Sequence, residues 1–253
     1  MPFFHHQRTG RSLVQEEKAF PQSTAHYGRR YFFNYATRDA GRKEVYHNRA
    51  AARIQTRMQG QPVFLWVGRL DANKDPLTIL AGLATVFEKY PAARLYMIYN
   101  NDQLLSQVKE HIHTNAILQN RVHLLGAIPH EQVEAYYHSA DYFVLGSHYE
   151  GSGYALSEAL RCGCIPIITN IPSFQIMTKD GQLGALWQPG NRQHFIEAVI
   201  TAMQKPLEQE AHACIRFYQQ QLSFEAIARV AATHYQQVHQ ARIQKINQPG
   251  RPH

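Results

Sequence analysis

The chain has 253 residues, 44% of them hydrophobic, enough for a core of domain size and outside the composition of disordered chains. No stretch approaches the ~20 consecutive apolar residues of a membrane-spanning helix, and MPFFHHQRTGRS at the amino end has no apolar run to serve as a signal-peptide core. Three cysteines, Cys162, Cys164 and Cys214, exclude a disulfide framework and fit a reducing compartment, so the expectation is a soluble cytoplasmic protein.

The net charge of +7 is unevenly placed. Residues 1–60 hold 11 Lys+Arg against 4 Asp+Glu, whereas residues 61–253 hold 15 of each. A basic leader therefore precedes a neutral body. A nucleic acid or membrane surface could meet such an arm, but a solvated segment is the commoner outcome, and no nucleic-acid partner is expected. Cys162-x-Cys164 has the wrong spacing for a zinc knuckle, and the 15 histidines are scattered. His111 and His113, two apart on a helix, point to different faces. The cysteines read as small, half-buried residues at helix ends, and no metal site is expected.

Along the chain, residues 1–60 show no sustained period, apart from a helix at residues 49–58 (RAAARIQTRM), and receive no fold. From residue 61 short apolar runs alternate with helical patterns. Residues 63–68 (VFLWVG) read as a strand buried on both faces of a parallel sheet. Asp75-Pro76 opens a helix to residue 90, with Ile79, Leu80, Leu83, Val86 and Phe87 at helical spacing. Strands follow at 94–99, 122–125, 142–145, 165–169 and 185–187, and helices at 103–113, 131–139, 154–161 and 192–203. This alternation predicts a doubly wound α/β domain over residues 61–205, whose ligands bind at the carboxyl ends of its strands. Residues 206–253 read as two helices and a loose tail from residue 247; the second helix begins near Ser223, with Phe224, Ile227, Val230 and Ala231 on one face.

Two constellations sit after predicted strands. In Gly68-Arg69-Leu70-Asp71-Ala72-Asn73-Lys74, two cations five residues apart can converge on a diphosphate, although a solvated loop has the same spacing. In residues 146–158, GSHYEGSGYALSE, Gly151 and Gly153 permit a tight turn before a helix whose amino-terminal amides suit an anion. Glu150 and Glu158, eight positions apart, frame that turn, and a carboxylate accepts two sugar hydroxyls at once. Alone, Glu158 reads as a surface residue of its helix. Cations for phosphates and carboxylates for hydroxyls together describe a nucleoside-diphosphate sugar.

The order GRL-x3-KDP, RVHLLGAIP, SADYFVL, SHYEGSGYALSEALRCGCIPIIT and QPGN resembles the carboxyl-terminal, donor-binding domain of group 1 retaining glycosyltransferases of the GT-B fold, over residues 63–203. The resemblance implies sugar transfer with retention from a nucleoside-diphosphate sugar to an acceptor sugar or glycolipid, as in polysaccharide assembly, without cofactor or metal. It assigns the diphosphate to Arg69 and Lys74 beside Gly68, the transferred sugar to Glu150, and the ribose to Glu158. Backbone at Gly151, Ser152, Gly153, Tyr154 and Ala155 falls to phosphate or sugar, and Gly126, Ala127 and Ile128 fall beside the base. The catalytic set is then Arg69, Lys74 and Glu150.

Two positions depart from the family pattern: Ser152 stands where it has an aromatic residue, and Asn100-Asn101 where it tends to have glycines. The family's acceptor domain needs ~100–200 residues, and only 62 precede the first strand. The expectation is that a second domain or chain completes the cleft, or that the chain is a fragment or a binding module without activity alone. A nicotinamide-binding dehydrogenase is disfavoured, since no Gly-x-Gly-x-x-Gly follows the first strand. No motif supports an epimerase or a phosphorylase.

Overall fold

The apolar runs pair side by side in the computed structural model, which describes residues 49–247. Six parallel strands, β1 (Val63–Gly68), β2 (Arg94–Tyr99), β3 (Val122–Gly126), β4 (Tyr142–Leu145), β5 (Ile165–Thr169) and β6 (Ala185–Trp187), form one sheet in the order β3-β2-β1-β4-β5-β6. Helices cover it: α1 (Arg49–Thr56), α2 (Pro76–Lys89), α3 (Leu105–Thr114), α4 (His130–Ser139), α5 (Tyr154–Arg161), α6 (Pro172–Met177), α7 (Arg192–Gln204), α8 (Leu207–Phe217) and α9 (Phe224–Asn247), with a π-turn at Tyr218–Leu222 between the last two. The leader up to residue 48 and the tail after 247 lie outside the described residues. This is the doubly wound, Rossmann-like α/β fold expected from the alternation.

The central strands are apolar throughout because both faces of a parallel sheet are covered. Val63, Phe64, Leu65 and Trp66 in β1 and Phe143, Val144 and Leu145 in β4 have 0–1% exposure. In α2, Asp75 caps the first turn by accepting a hydrogen bond from the Thr78 amide at 3.3 Å, and Pro76 occupies the first position. Its buried face carries the five apolar residues read from the spacing. A short helix missed in the sequence, α6, spans too few residues to show a period.

Strand order reverses between β1 and β4. The connections after these strands leave in opposite directions and open a crevice at the carboxyl edge. The amino edge is closed by Asp141, whose side chain is 6% exposed. Its Oδ2 accepts from the Val63 amide and from Arg53, both at 2.7 Å, and Arg49 Nε lies 3.3 Å from Oδ1. Arg53 also donates to the Ser139 carbonyl and Arg49 to that of Ala140. Helix α1 is thereby fastened to residues 86–92 positions away, and Ala52 and Met58 enter buried positions. Nothing in the sequence reading of residues 1–60 anticipated this attachment.

Two local features differ from the sequence expectations. Cys162, Cys164 and Cys214 are fully buried rather than half-buried, and burial pushes the Cys214 thiol up to about 12. In α9 only the first turn packs, through Ala226 at 2% exposure; Ile227 and Val230 are 51% and 57% exposed, so the expected apolar face has no cover among the described residues. No helix of the described residues is long and apolar enough to cross a membrane.

Two outcomes test these contacts. Replacing Asp141 with alanine strands two arginines and the Val63 amide, and urea unfolding should register a loss of about 2–4 kcal/mol. Glu134, beside His138 and paired with Arg161 at 2.9 Å, has its carboxyl held down from the ordinary 4.5 to about 2, first by the His138 hydrogen bond and then by Arg161. A depressed carboxylate stabilises the fold above its unfolded value, so this contribution is complete above about pH 4.5 and disappears as pH falls towards 2. Unfolding of Glu134→Gln should show a shallower acid dependence over that window.

Candidate functional site

The loop after β1 is shaped by its own carboxylates. Asp71 caps the short 3-10 turn Ala72–Lys74 by accepting from the Lys74 amide at 3.1 Å, and its other oxygen meets the Arg69 guanidinium at 3.0 Å. Asp75 follows in a left-handed conformation, φ +41°, and starts α2. This reversal turns the Lys74 side chain towards the loop after β4.

That second loop approaches closely because Gly146 has no side chain. A Cβ there would lie 3.0 Å from the carbonyl oxygens of both Lys74 and Asp75. Asn73 then ties the two loops together: its Nδ2 donates to the Tyr149 carbonyl and its Oδ1 accepts from the Tyr149 amide, each at 3.0 Å. The His148 amide donates to the Asn73 carbonyl at 2.8 Å. Thr169, at the end of β5, donates to the Ser147 carbonyl at 2.5 Å and fixes the loop from its other side.

Lys74 Nζ meets the Glu150 carboxylate across the crevice, 76 positions away in the chain, and donates to Ser147 Oγ at 3.3 Å. The side chains of Lys74 and Glu150 are 13% and 17% exposed, and Ser147 is fully buried. Coulomb attraction in such an enclosure exceeds that of a solvated pair several-fold. Arg69, by contrast, is 63% exposed and held by Asp71. The two cations of the first constellation thus flank one mouth, each on its own carboxylate.

Beyond Glu150 the chain turns through Gly151 and Ser152, both exposed, into Gly153, which takes φ +60° at the amino end of α5. The left-handed conformation of Gly153 calls for glycine, and a Cβ there would also displace the flexible Met177 side chain, whose Sδ would lie 2.6 Å away. No side-chain hydrogen bond caps α5, whose first turn follows the loop after β4. Tyr154 and Ala155 form that first turn, and Glu158 follows one turn later, partly buried. Partial burial raises the Tyr154 phenol above its ordinary value. Gly126, Ala127 and Ile128 share the same carboxyl edge, but Gly126 ends β3, two strands from β1, and the other two follow it.

Residues 48–221 match the family model for glycosyl transferases group 1. The chain belongs to that family. A GDP-mannose:cellobiosyl-diphosphopolyprenol alpha-mannosyltransferase of Xanthomonas oryzae is 32% identical over 119 residues, 47% of this chain and 31% of the relative. A glycogen synthase of Mycobacterium tuberculosis is 28% identical over 203 residues, 79% of this chain and 47% of the relative. A sucrose-phosphate synthase from Thermosynechococcus elongatus superposes with TM-score 0.63 at 26% identity, over 76% of this chain and 49% of that structure. The chain spans about a quarter to half the length of the curated relatives it matches.

Sequence reasoning about this glycosyltransferase domain missed Asn73 and Ser147. Both lie inside quoted motifs, but their partners are distant in the chain. It missed Asp71 as well, and a carboxylate two positions from Arg69 was a legible signal. After β2, Asn101 stands in place of a family glycine, and its Oδ1 is buried without a hydrogen-bond partner among the described residues. Among the described residues one cluster has metal-ligating types: donor atoms of Glu134, His138 and Cys162 lie within 4.8 Å of one another. Glu134 is committed to Arg161 at 2.9 Å, and burial keeps the Cys162 thiol protonated. This cluster lies where α5 leads into β5, at the amino edge, away from the crevice.

Asn73→Ala should leave the thermal midpoint within a few degrees of wild type, since it removes only surface hydrogen bonds of about 1 kcal/mol each. The two loops should separate, and hydrogen exchange at the Tyr149 amide should accelerate at least several-fold.

Proposed function

We propose that this chain supplies the donor half of a retaining glycosyltransferase, binding a nucleoside-diphosphate sugar in the crevice between the loops after β1 and β4. The observation that carries the reading is the meeting of Lys74 and Glu150 at the point where strand order reverses. A diphosphate needs cations at such a crevice, and a pyranose needs a carboxylate within a few ångströms of them.

In this reading Arg69 and Lys74 grip the diphosphate and neutralise the charge that grows on it as the glycosidic bond breaks. Preorganised cations in a partly enclosed site are suited to that task, and here they take the place of a metal. Glu150 accepts hydrogen bonds from the sugar hydroxyls and Glu158 from the ribose. Amides from Gly151 to Ala155 at the start of α5 face phosphate or sugar, and Gly126, Ala127 and Ile128 line the base. Gly68 lets the backbone approach at the end of β1.

The acceptor, a sugar or glycolipid, enters from a separate domain or chain facing the carboxyl edge. Relatives differ in sugar and acceptor, so the base and sugar are set by local side chains rather than by family membership. Three buried, free cysteines support a reducing, cytoplasmic setting.

Calorimetric titration with UDP, GDP and ADP tests the reading. One nucleotide should bind selectively, and Arg69→Ala/Lys74→Ala should weaken it at least roughly a hundredfold, by the loss of two charge-assisted contacts. Equal binding by wild type and the double variant would remove both residues from the site.

A further inference from the structure

Both cations assigned to the diphosphate already hold a carboxylate in the free protein. The two pairs differ in enclosure. Arg69–Asp71 is open on the arginine side, which is 63% exposed against 12% for Asp71, and the Asp71 carboxylate still accepts from the Lys74 amide when Arg69 turns to a phosphate. Lys74–Glu150 is enclosed, its side chains 13% and 17% exposed, with buried Ser147 hydrogen-bonded to the lysine at 3.3 Å. A phosphate that takes over Lys74 leaves the Glu150 carboxylate partly desolvated, beside a new negative charge. Ser147 Oγ, 3.5 Å from Glu150, is the hydroxyl left nearest to it.

That imbalance is relieved by hydroxyl donors, and the two forms of the ligand differ in whether they carry them at that place. The sugar of a nucleoside-diphosphate sugar brings hydroxyls next to the diphosphate. The nucleoside diphosphate released after transfer brings only phosphate oxygens, which accept and repel. We infer that Glu150 is a specificity residue that biases the crevice towards the sugar-bearing donor and against the spent nucleoside diphosphate. It acts by holding Lys74 until a ligand supplies hydroxyls in exchange. The inference rests on the crevice being the donor site.

The argument also separates Glu150 from a residue that merely shapes the loop. Loss of a shaping residue weakens both ligands together, whereas loss of the Glu150 charge should strengthen the bare diphosphate without an equal gain for the donor. With a neutral amide at this position Lys74 is free, so the bare diphosphate gains. The sugar loses an ionised acceptor, so the donor does not gain equally.

The experiment is calorimetry on wild type and Glu150→Gln with UDP, GDP and ADP and with UDP-glucose, GDP-mannose and ADP-glucose. Glu150→Ser carries the same test should the glutamine disturb the loop, with thermal unfolding as the check on folding. The variant should bind the bare nucleoside diphosphate roughly tenfold more tightly than wild type, and its donor-to-diphosphate affinity ratio should fall by at least that factor. Unchanged or weaker binding of the bare nucleotide by a folded variant would overturn the inference and leave the donor site standing. Failure of folded wild type to bind any of the six ligands would overturn both.

Discussion

The reversal of strand order between β1 and β4 is the constraint on which the rest depends. Neighbouring parallel strands normally pass to helices on the same course, and the loops then fill the space above the sheet edge. Where the order turns back, the loops diverge and leave room for a ligand. Here the divergence is limited by Asn73, which holds both backbone groups of Tyr149, and by Gly146, which lets the loops touch below it. The result is a narrow mouth with a lysine from one wall and a glutamate from the other.

The two edges of the sheet use the same chemistry to different ends. At the amino edge, Asp141 receives the Val63 amide and two arginines and is saturated. Its charge is buried and spent on fastening α1. At the carboxyl edge, Glu150 has one lysine and one hydroxyl within reach and keeps capacity to accept. A saturated buried pair is structural; an unsaturated pair at a crevice mouth can be exchanged for a ligand's charges.

Much of this was legible in the sequence, for physical reasons. Strands buried on both faces must be continuous apolar runs, so VFLWVG and IPIIT showed themselves, and the six strands fall within a residue of their expected ends. Short loops after such strands drew attention to Arg69, Lys74 and Glu150 before any contact was known. What spacing could not give is pairing across the chain. It placed Arg69 and Lys74 on one loop but not the carboxylate that each holds, and nothing local links Lys74 to a residue 76 positions away. The same holds for Arg49 and Arg53, which looked like part of a basic leader and instead serve Asp141. Ile227 and Val230 show the converse failure: helical spacing marked a face, but spacing does not supply a surface to cover it.

The central claim is that the nucleotide enters between the loops after β1 and β4. Titration of the isotope-labelled chain with UDP, GDP and ADP, followed by amide chemical shifts, addresses it most directly. The account predicts the largest changes at Gly68–Asp75 and Gly146–Ala155, with the amino edge around Arg53 and Asp141 unmoved. Changes centred on the amino edge, or on α9, would contradict it.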